Sequence, residues 1–147
     1  MKIAIACDHG GFERKEQVKN FLLGKGYEVE DFGTHNTESC HYPIFGEAAA
    51  NAVASGACEM GIVICTTGIG MSIVTNKVRG IRCAHCTDVH TAEMTRHHNN
   101  SNVLAIGAAL SDEALSCQMA EVFLTTEFDG GRHQTRVDMI TAIEEKN

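Results

Sequence analysis

Residues 61–70 read GIVICTTGIG, an apolar run that passes directly into a turn of small residues. The run at 61–65 predicts a strand buried on both faces, because its side chains are almost all apolar. Gly68 and Gly70 predict a tight turn, and residues 70–78 predict the helix that follows it. A strand, a glycine turn and a helix in this order are typical of α/β domains.

The same alternation extends over the rest of the chain. Short apolar runs predict four further strands, at residues 2–7, 27–32, 82–86 and 102–106. Helical spacing predicts five further helices, at residues 11–25, 44–55, 89–98, 112–125 and 134–146, with Ser111 as the N-cap of the helix at 112–125. The sequence therefore predicts one α/β domain over residues 1–147, with a five-stranded parallel sheet and helices on both faces.

Composition and charge exclude several classes of partner. The net charge is −7 and no cluster of lysine or arginine occurs, which argues against nucleic acid and anionic membranes. No apolar run approaches about 18 residues, so no membrane span is expected. The N-terminal apolar stretch is too short for a signal peptide, and seven scattered cysteines fit reduced thiols. We therefore expect a cytoplasmic protein that binds a small molecule.

Polar residues at strand ends are the first candidates for a functional site. Ligands of parallel sheets bind beyond the carboxyl ends of the strands, where Asp8 and His9 follow the first strand and Cys65 ends the third. Backbone N–H groups of the glycine turn could bind an oxyanion, although a structural turn explains the glycines nearly as well. The helix N-terminus favours the reactive thiolate of Cys65, but packing is the commoner role of such a cysteine.

Other motifs narrow the chemistry. The turn has no lysine after it, which excludes a P-loop, and GxGxxG is absent after the first strand, so nucleotide binding is disfavoured. Arg132 and Arg136 share one helix face, either as a solvated face or as a fork suited to phosphate. The CAHC run at 83–86 lies in a predicted strand without a second pair of metal-binding residues, so we expect core cysteines and no metal site.

Taken together, the motifs resemble one family over nearly the whole chain, the ribose-5-phosphate isomerase B and galactose-6-phosphate isomerase family of sugar-phosphate isomerases. Seven segments carry the resemblance: ACDHGGF at 6–12, DFGTHNTE at 31–38, HYPIFG at 41–46, ICTTGIGMSI at 64–73, NKVRGIR at 76–82, RHHNNSNVLAIG at 96–107 and GGRHQTRV at 130–137. The resemblance implies a Rossmann-like fold and a homodimer or tetramer with active sites shared across the interface. It also implies that the helix at 134–146 packs on a partner subunit.

The resemblance further implies aldose–ketose isomerisation of a sugar phosphate through a cis-enediolate, with no cofactor and no metal. Cys65 matches the residue that moves the proton between C1 and C2, with Thr67 assisting. His98 and Asp8 match the pair that opens the furanose ring. The remaining matches bind substrate: His9, Arg132 and Arg136 the phosphate, Tyr42 and Asn99 the sugar hydroxyls, and Thr66, Gly68, Ile69 and Gly70 the enediolate oxygen.

Three residues depart from the family pattern. Thr66 stands where many relatives have glycine, and Ala109 where many have an arginine that binds phosphate. His41 precedes Tyr42 where ribose-phosphate members often have aspartate, which is closer to the galactose-6-phosphate type. The resemblance as a whole implies ribose 5-phosphate as the substrate. The departures favour the alternative, a six-carbon aldose 6-phosphate of the allose or galactose type.

A sugar-phosphate sensor without turnover is the third hypothesis, from a different functional class. A sensor would need the arginines to hold the phosphate, but it has no use for a thiol that transfers protons. The retention of Asp8, Cys65, Thr67 and His98 therefore favours an enzyme.

Overall fold

The computed structural model describes residues 1–147 and contains the predicted alternation of strands and helices. The strands are β1 (Lys2–Cys7), β2 (Glu28–Asp31), β3 (Met60–Cys65), β4 (Cys83–His85) and β5 (Val103–Gly107). The helices are α1 (Phe12–Gly24), α2 (Tyr42–Ala54), α3 (Ile69–Thr75), α4 (Val89–Asn99), α5 (Glu113–Thr125) and α6 (Arg132–Glu145), and a 3₁₀ turn at His9–Gly11 precedes α1. None of the helices has the length and apolar character needed to cross a membrane.

The five strands form one parallel sheet in the order β2-β1-β3-β5-β4, which confirms the predicted sheet. From β1 the chain first adds β2 on one side, and every later strand joins on the other side. The reversal lies between β1 and β3, where the connections leaving the two strands diverge and open a crevice. Asp8 and Cys65 stand at the carboxyl ends of these two strands.

Helices cover both faces of the sheet, because successive side chains of a strand point in opposite directions. Ile3 and Ile5 of β1 pack with α1 and α5 on one face. Ala4 and Ala6 pack with α2 and α3 on the other face. These four side chains have no exposed area, so β1 is buried on both sides, as its apolar sequence predicts.

Several helix ends differ from the sequence-based expectation, most of all in α3, which was predicted over 70–78 and ends at Thr75. α2 begins at Tyr42, two residues early, because proline in the first turn favours a helix start there. The N-cap of α5 is Asp112, whose carboxylate accepts from the Leu115 N–H at 2.8 Å, whereas the predicted cap Ser111 lies one residue earlier. The last helix, predicted over 134–146, runs from Arg132 to Glu145 after the glycine N-cap at 131.

A buried lysine joins α1 to the end of β2. Lys15 has no exposed area, and its Nζ donates to Asp31 Oδ1 at 2.9 Å and to the Thr34 carbonyl at 2.6 Å. Burial alone would raise the pKa of Asp31, but hydrogen bonds from Lys15, the Gly33 N–H and Lys19 outweigh burial and lower that pKa. The charge of Asp31 therefore stabilises the folded state at neutral pH.

We expect Asp31→Asn to lower the free energy of unfolding by about 3–5 kcal/mol, because it leaves the charge of Lys15 buried without its main partner. The matched control is Glu30→Gln, which removes the partner of Lys2 from a half-exposed pair and should lower the free energy of unfolding far less. Urea unfolding at pH 7 measures both. Equal losses in the two variants would contradict the role of burial.

The same variant has a signature in pH. Because the pKa of Asp31 is lowered in the folded chain, its contribution is complete above the unfolded pKa and is lost as the pH falls through the folded value. The gap in stability between the parent and Asp31→Asn should therefore narrow in acid.

Candidate active site

The turn after β3 closes on the thiol of Cys65. Gly68 adopts a left-handed conformation with φ +80° and is the N-cap of α3. Its N–H donates to Cys65 Sγ at 3.1 Å, and only 5% of Cys65 is exposed. This hydrogen bond fixes the position of the sulfur beside the turn.

Residues at the carboxyl ends of β4 and β5 contact this turn. The N–H groups of Ala108 and Ala109, just after β5, donate to the carbonyls of Cys65 and Thr66, both at 2.9 Å. The ring of His85, at the end of β4, lies against Gly68: a Cβ built on Gly68 would be 2.7 Å from His85 Cδ2. Any side chain at position 68 would therefore displace the turn from the thiol.

Thr66, one of the three residues that depart from the family pattern, contacts the 3₁₀ turn that follows β1. A Cβ built on Gly10 would collide with Thr66 Oγ1, so the two residues lie directly against each other. The absence of a side chain at Gly10 provides the room that Thr66 needs. Thr66 therefore fits between the residues that follow β1 and β3 without displacing the Cys65 turn.

A cavity of about 390 Å³ opens in front of Cys65. Its walls come from the ends of β1 and β3 and from the first turns of α2 and α3, and the ring of Tyr42 packs over Gly70. Eight residues line it: Asp8, Tyr42, Cys65, Thr66, Thr67, Ile69, Gly70 and Ile73. The structure thus gathers seven of the predicted site residues, and Gly68 lies directly behind them.

Asp8 and His9 occupy the rim where β1 ends. Asp8 is 7% exposed and its Oδ1 accepts from the Gly11 N–H at 3.1 Å, which fixes the carboxylate at the cavity wall. His9 is exposed, and its Nδ1 accepts from the Cys40 N–H at 3.2 Å. In the neutral ring the proton is then on Nε2, which can donate to an anion.

Besides His9 and Gly68, four predicted site residues do not line the cavity. His98 and Asn99 end α4, whereas Arg132 and Arg136 lie at the start of α6. His98 stacks on His133 with ring centroids 4.6 Å apart, and both arginines are exposed. A single chain therefore presents two groups of site residues: the thiol cavity, and an imidazole and guanidinium group at the junction of α4 and α6.

The second group is electropositive. Burial lowers the pKa of His133, and the nearby His98, Arg132 and Arg136 lower it further. A neutral imidazole beside two guanidinium groups gives a surface suited to phosphate. The carboxylate of Asp129 lies beside both imidazoles and accepts a hydrogen bond from His97.

His85 is a residue of the site that sequence reasoning missed. Its Nε2 is buried without a hydrogen-bond partner, and its ring touches Gly68 of the Cys65 turn. The signal in the sequence was a histidine next to the carboxyl end of the predicted strand at 82–86. By contrast, Cys7 behaves as a packing residue: it has no exposed area, and burial raises the pKa of its thiol to about 12.

Residues 3–140 match the family model described as Ribose/Galactose Isomerase. The chain belongs to this family. Ribose-5-phosphate isomerase B of Escherichia coli is 43% identical over 145 residues, which cover 99% of this chain and 97% of the relative. A Clostridium thermocellum ribose-5-phosphate isomerase B structure has a TM-score of 0.98 at 51% identity, covering 99% of each chain. A relative named 4-deoxy-4-sulfo-D-erythrose isomerase, from a Clostridium species, is 41% identical and covers 99% of this chain and 92% of its own.

These comparisons confirm the predicted family and the Rossmann-like α/β fold. The comparisons do not test the roles of individual residues, which stay predictions. The geometry of the turn allows a direct test of one of them, the positioning of the Cys65 thiol by Gly68.

We expect Gly68→Ala to lower isomerase turnover by about a hundredfold, because a displacement of the turn by about 1 Å is enough for such a loss. The matched control is Gly80→Ala, since Gly80 has a similar φ of +89° but only Ala54 Cβ near its missing side chain, at 4.0 Å. Both variants carry backbone strain of about 1–3 kcal/mol, so thermal unfolding should show losses in both. Equal activity in the two variants would show that contacts behind Gly68 do not position the thiol.

Proposed function

We propose that the chain is a cofactor-independent isomerase that interconverts ribose 5-phosphate and ribulose 5-phosphate through a cis-enediolate. The observation that carries this proposal is the thiol of Cys65 at the floor of the cavity, held by an N–H of the same turn whose backbone faces the substrate space. Proton abstraction next to a carbonyl requires a base and donors for the developing oxyanion. In this proposal the Cys65 thiol is the base, and the backbone of the turn supplies the donors.

In the proposed reaction the Cys65 thiolate removes the proton from C2 of the open-chain aldose. The electron pair of that C–H bond forms the C1–C2 double bond, and the carbonyl electrons move to O1, giving the enediolate. The thiol then returns the proton to C1 as the carbonyl forms at C2. The proton of the C2 hydroxyl passes to O1, and Thr67 assists this transfer by hydrogen bonding to the two oxygens. The electrons stay within the substrate, so the reaction needs no external oxidant or reductant.

The substrate contacts divide between the phosphate and the sugar. We propose that His9, Arg132 and Arg136 bind the phosphate, since Nε2 of His9 can donate and the arginines share one face of α6. Tyr42, packed over the glycine turn, and Asn99, at the end of α4, bind sugar hydroxyls. Thr66, Gly68, Ile69 and Gly70 supply the backbone of the oxyanion site.

We further propose a homodimer, alone or within a tetramer, whose two sites are each completed by the partner. Within one chain His98 does not line the Cys65 cavity. α6 buries only Val137 and leaves Met139, Ile140 and Ile143 exposed at 63%, 48% and 60%. A second copy packed on this helix would cover these apolar side chains and bring the α4–α6 junction to the thiol cavity.

In the proposed dimer, each subunit contributes one residue to ring opening. We propose that His98 of one subunit and Asp8 of the other act on the furanose, one donating a proton to the ring oxygen and the other accepting the proton of the anomeric hydroxyl. Asp8 is held in place by its hydrogen bond with the Gly11 N–H, whereas His98 is exposed and stacked on His133.

Fewer observations identify the aldose than identify the type of reaction. A 41% identical relative is named for a sulfonated tetrose, so anionic aldoses of different lengths occur among the relatives. A six-carbon aldose 6-phosphate is the alternative, favoured by His41 before Tyr42. A sensor is disfavoured by the thiol and its N–H donor, which binding alone does not require.

All seven cysteines are free, which supports a location in the reducing cytoplasm.

We expect Cys65→Ala to lower kcat by at least about a hundredfold, the usual scale for loss of a general base. The matched control is Cys117→Ala, because Cys117 is similarly buried, at 8% exposed, but lies on α5 away from the turn. Turnover of ribose 5-phosphate, allose 6-phosphate and galactose 6-phosphate by the parent and both variants gives the reaction and its preferred substrate. Near-full turnover by Cys65→Ala would make Cys65 a packing residue and contradict the mechanism.

A further inference from the structure

Three side chains from three segments meet at the junction of α4 and α6. His98 comes from the last turn of α4, Asp129 from the connection between α5 and α6, and His133 from the first turn of α6. One ligand atom of each lies within 4.8 Å of those of the other two. We name these residues the imidazole–carboxylate cluster.

We propose that the imidazole–carboxylate cluster binds a divalent transition-metal ion such as Zn²⁺ or Co²⁺, and that the bound ion inhibits ring opening. Two imidazole nitrogens and one carboxylate oxygen are ligands that these ions prefer. A metal with this ligand set also keeps open positions, which water or a phosphate oxygen can occupy. The ion is an inhibitory ligand and takes no part in the proposed isomerisation.

The separations suit such an ion after a small closure. Tetrahedral zinc with metal–nitrogen distances of about 2.0–2.1 Å places its ligand atoms roughly 3.3 Å apart. His98 and Asp129 are exposed, and His133 is only partly buried, so side-chain rotations can bring the ligand atoms together. The rings of His98 and His133 are stacked face to face with an interplanar angle of 16°. One ring must therefore rotate out of the stack before a nitrogen of each can face the same ion.

His97, a residue outside the cluster, orients the carboxylate of Asp129. His97 Nδ1 lies 2.6 Å from Asp129 Oδ1, and its Nε2 lies 3.4 Å from Glu93. Asp129 thus keeps its second oxygen for an ion, while one oxygen is held by a neighbouring imidazole. Hydrogen-bonded carboxylates of this kind are common among metal ligands, and removal of the supporting residue typically weakens binding by about 10–100-fold.

Charges near the cluster act in both directions. Arg132 and Arg136 lie close enough to lower the pKa of His133, and they oppose a cation at the same place. Asp129 and Glu93 favour a cation. A phosphate group bound at these arginines would reduce their repulsion of the ion. The cluster should therefore bind the ion more weakly in the free protein than in the presence of inorganic phosphate.

The consequence for turnover rests on the proposed role of His98, whereas ion binding does not. An ion held by a ring nitrogen of His98 removes the lone pair that ring opening uses. Ribose 5-phosphate is mainly a furanose, but ribulose 5-phosphate has no furanose ring. The ion should therefore lower kcat for ribose 5-phosphate more strongly than kcat for ribulose 5-phosphate, measured at saturating substrate because kcat/KM must fall equally in both directions.

Binding is tested by Co²⁺ titration of the reduced, metal-free protein, followed by visible absorption. We expect saturable d–d bands without a thiolate-to-metal charge-transfer band, which separates this site from the cysteines. His133→Gln should raise the dissociation constant at least about tenfold and His97→Asn by about tenfold, whereas His90→Gln, an exposed histidine of α4 outside the cluster, should leave it unchanged.

Two results would overturn the site: no saturable binding, or binding that His133→Gln does not weaken. A thiolate band that accounts for all bound Co²⁺ would overturn it as well. Binding at the cluster with an equal loss of kcat for both sugar phosphates would retain the ion but refute its action on ring opening. Loss of the proposed isomerase activity itself would be seen separately, in the absence of metal.

Discussion

The hydrogen bond from the Gly68 N–H to Cys65 Sγ is the contact on which the proposed chemistry depends. It requires a left-handed residue at position 68, and it requires that the turn have no freedom to move away from the thiol. β5 supplies two N–H donors to the carbonyls of the turn, and His85 of β4 packs against Gly68. The order of the strands is therefore part of the site, because it places β5 directly beside β3.

The opposite side of the turn meets the end of β1. Thr66 lies against Gly10, and Asp8 is fixed in the cavity wall by the N–H of Gly11. Thr66 therefore joins the two strand ends at the crevice rather than narrowing the glycine turn. Ala109 provides no positive charge for phosphate, and no lysine or arginine lines the cavity. Phosphate binding in our account depends on the arginines of α6.

Sequence patterns predicted the elements and the candidate residues but not their grouping. Apolar runs identify buried strands because side chains alternate between two covered faces, and the polar residues at strand ends marked Asp8 and Cys65. Strand order, in contrast, depends on contacts between distant segments, so the packing of His85 behind Gly68 could not be read from local patterns. Ser111 was the wrong N-cap for a local reason: Asp112 is also a strong cap, and residues one position apart compete. The separation of His98 from the Cys65 cavity likewise required coordinates.

That separation makes the central claim testable: each site combines Cys65 of one subunit with His98 of another. The most direct measurement is activity after mixing Cys65→Ala with His98→Ala chains under conditions that exchange subunits. Mixed dimers would carry one doubly altered site and one intact site, so an equal mixture should recover about one quarter of the parent activity. A mixture no more active on ribose 5-phosphate than the sum of its two parents would contradict a site shared between subunits.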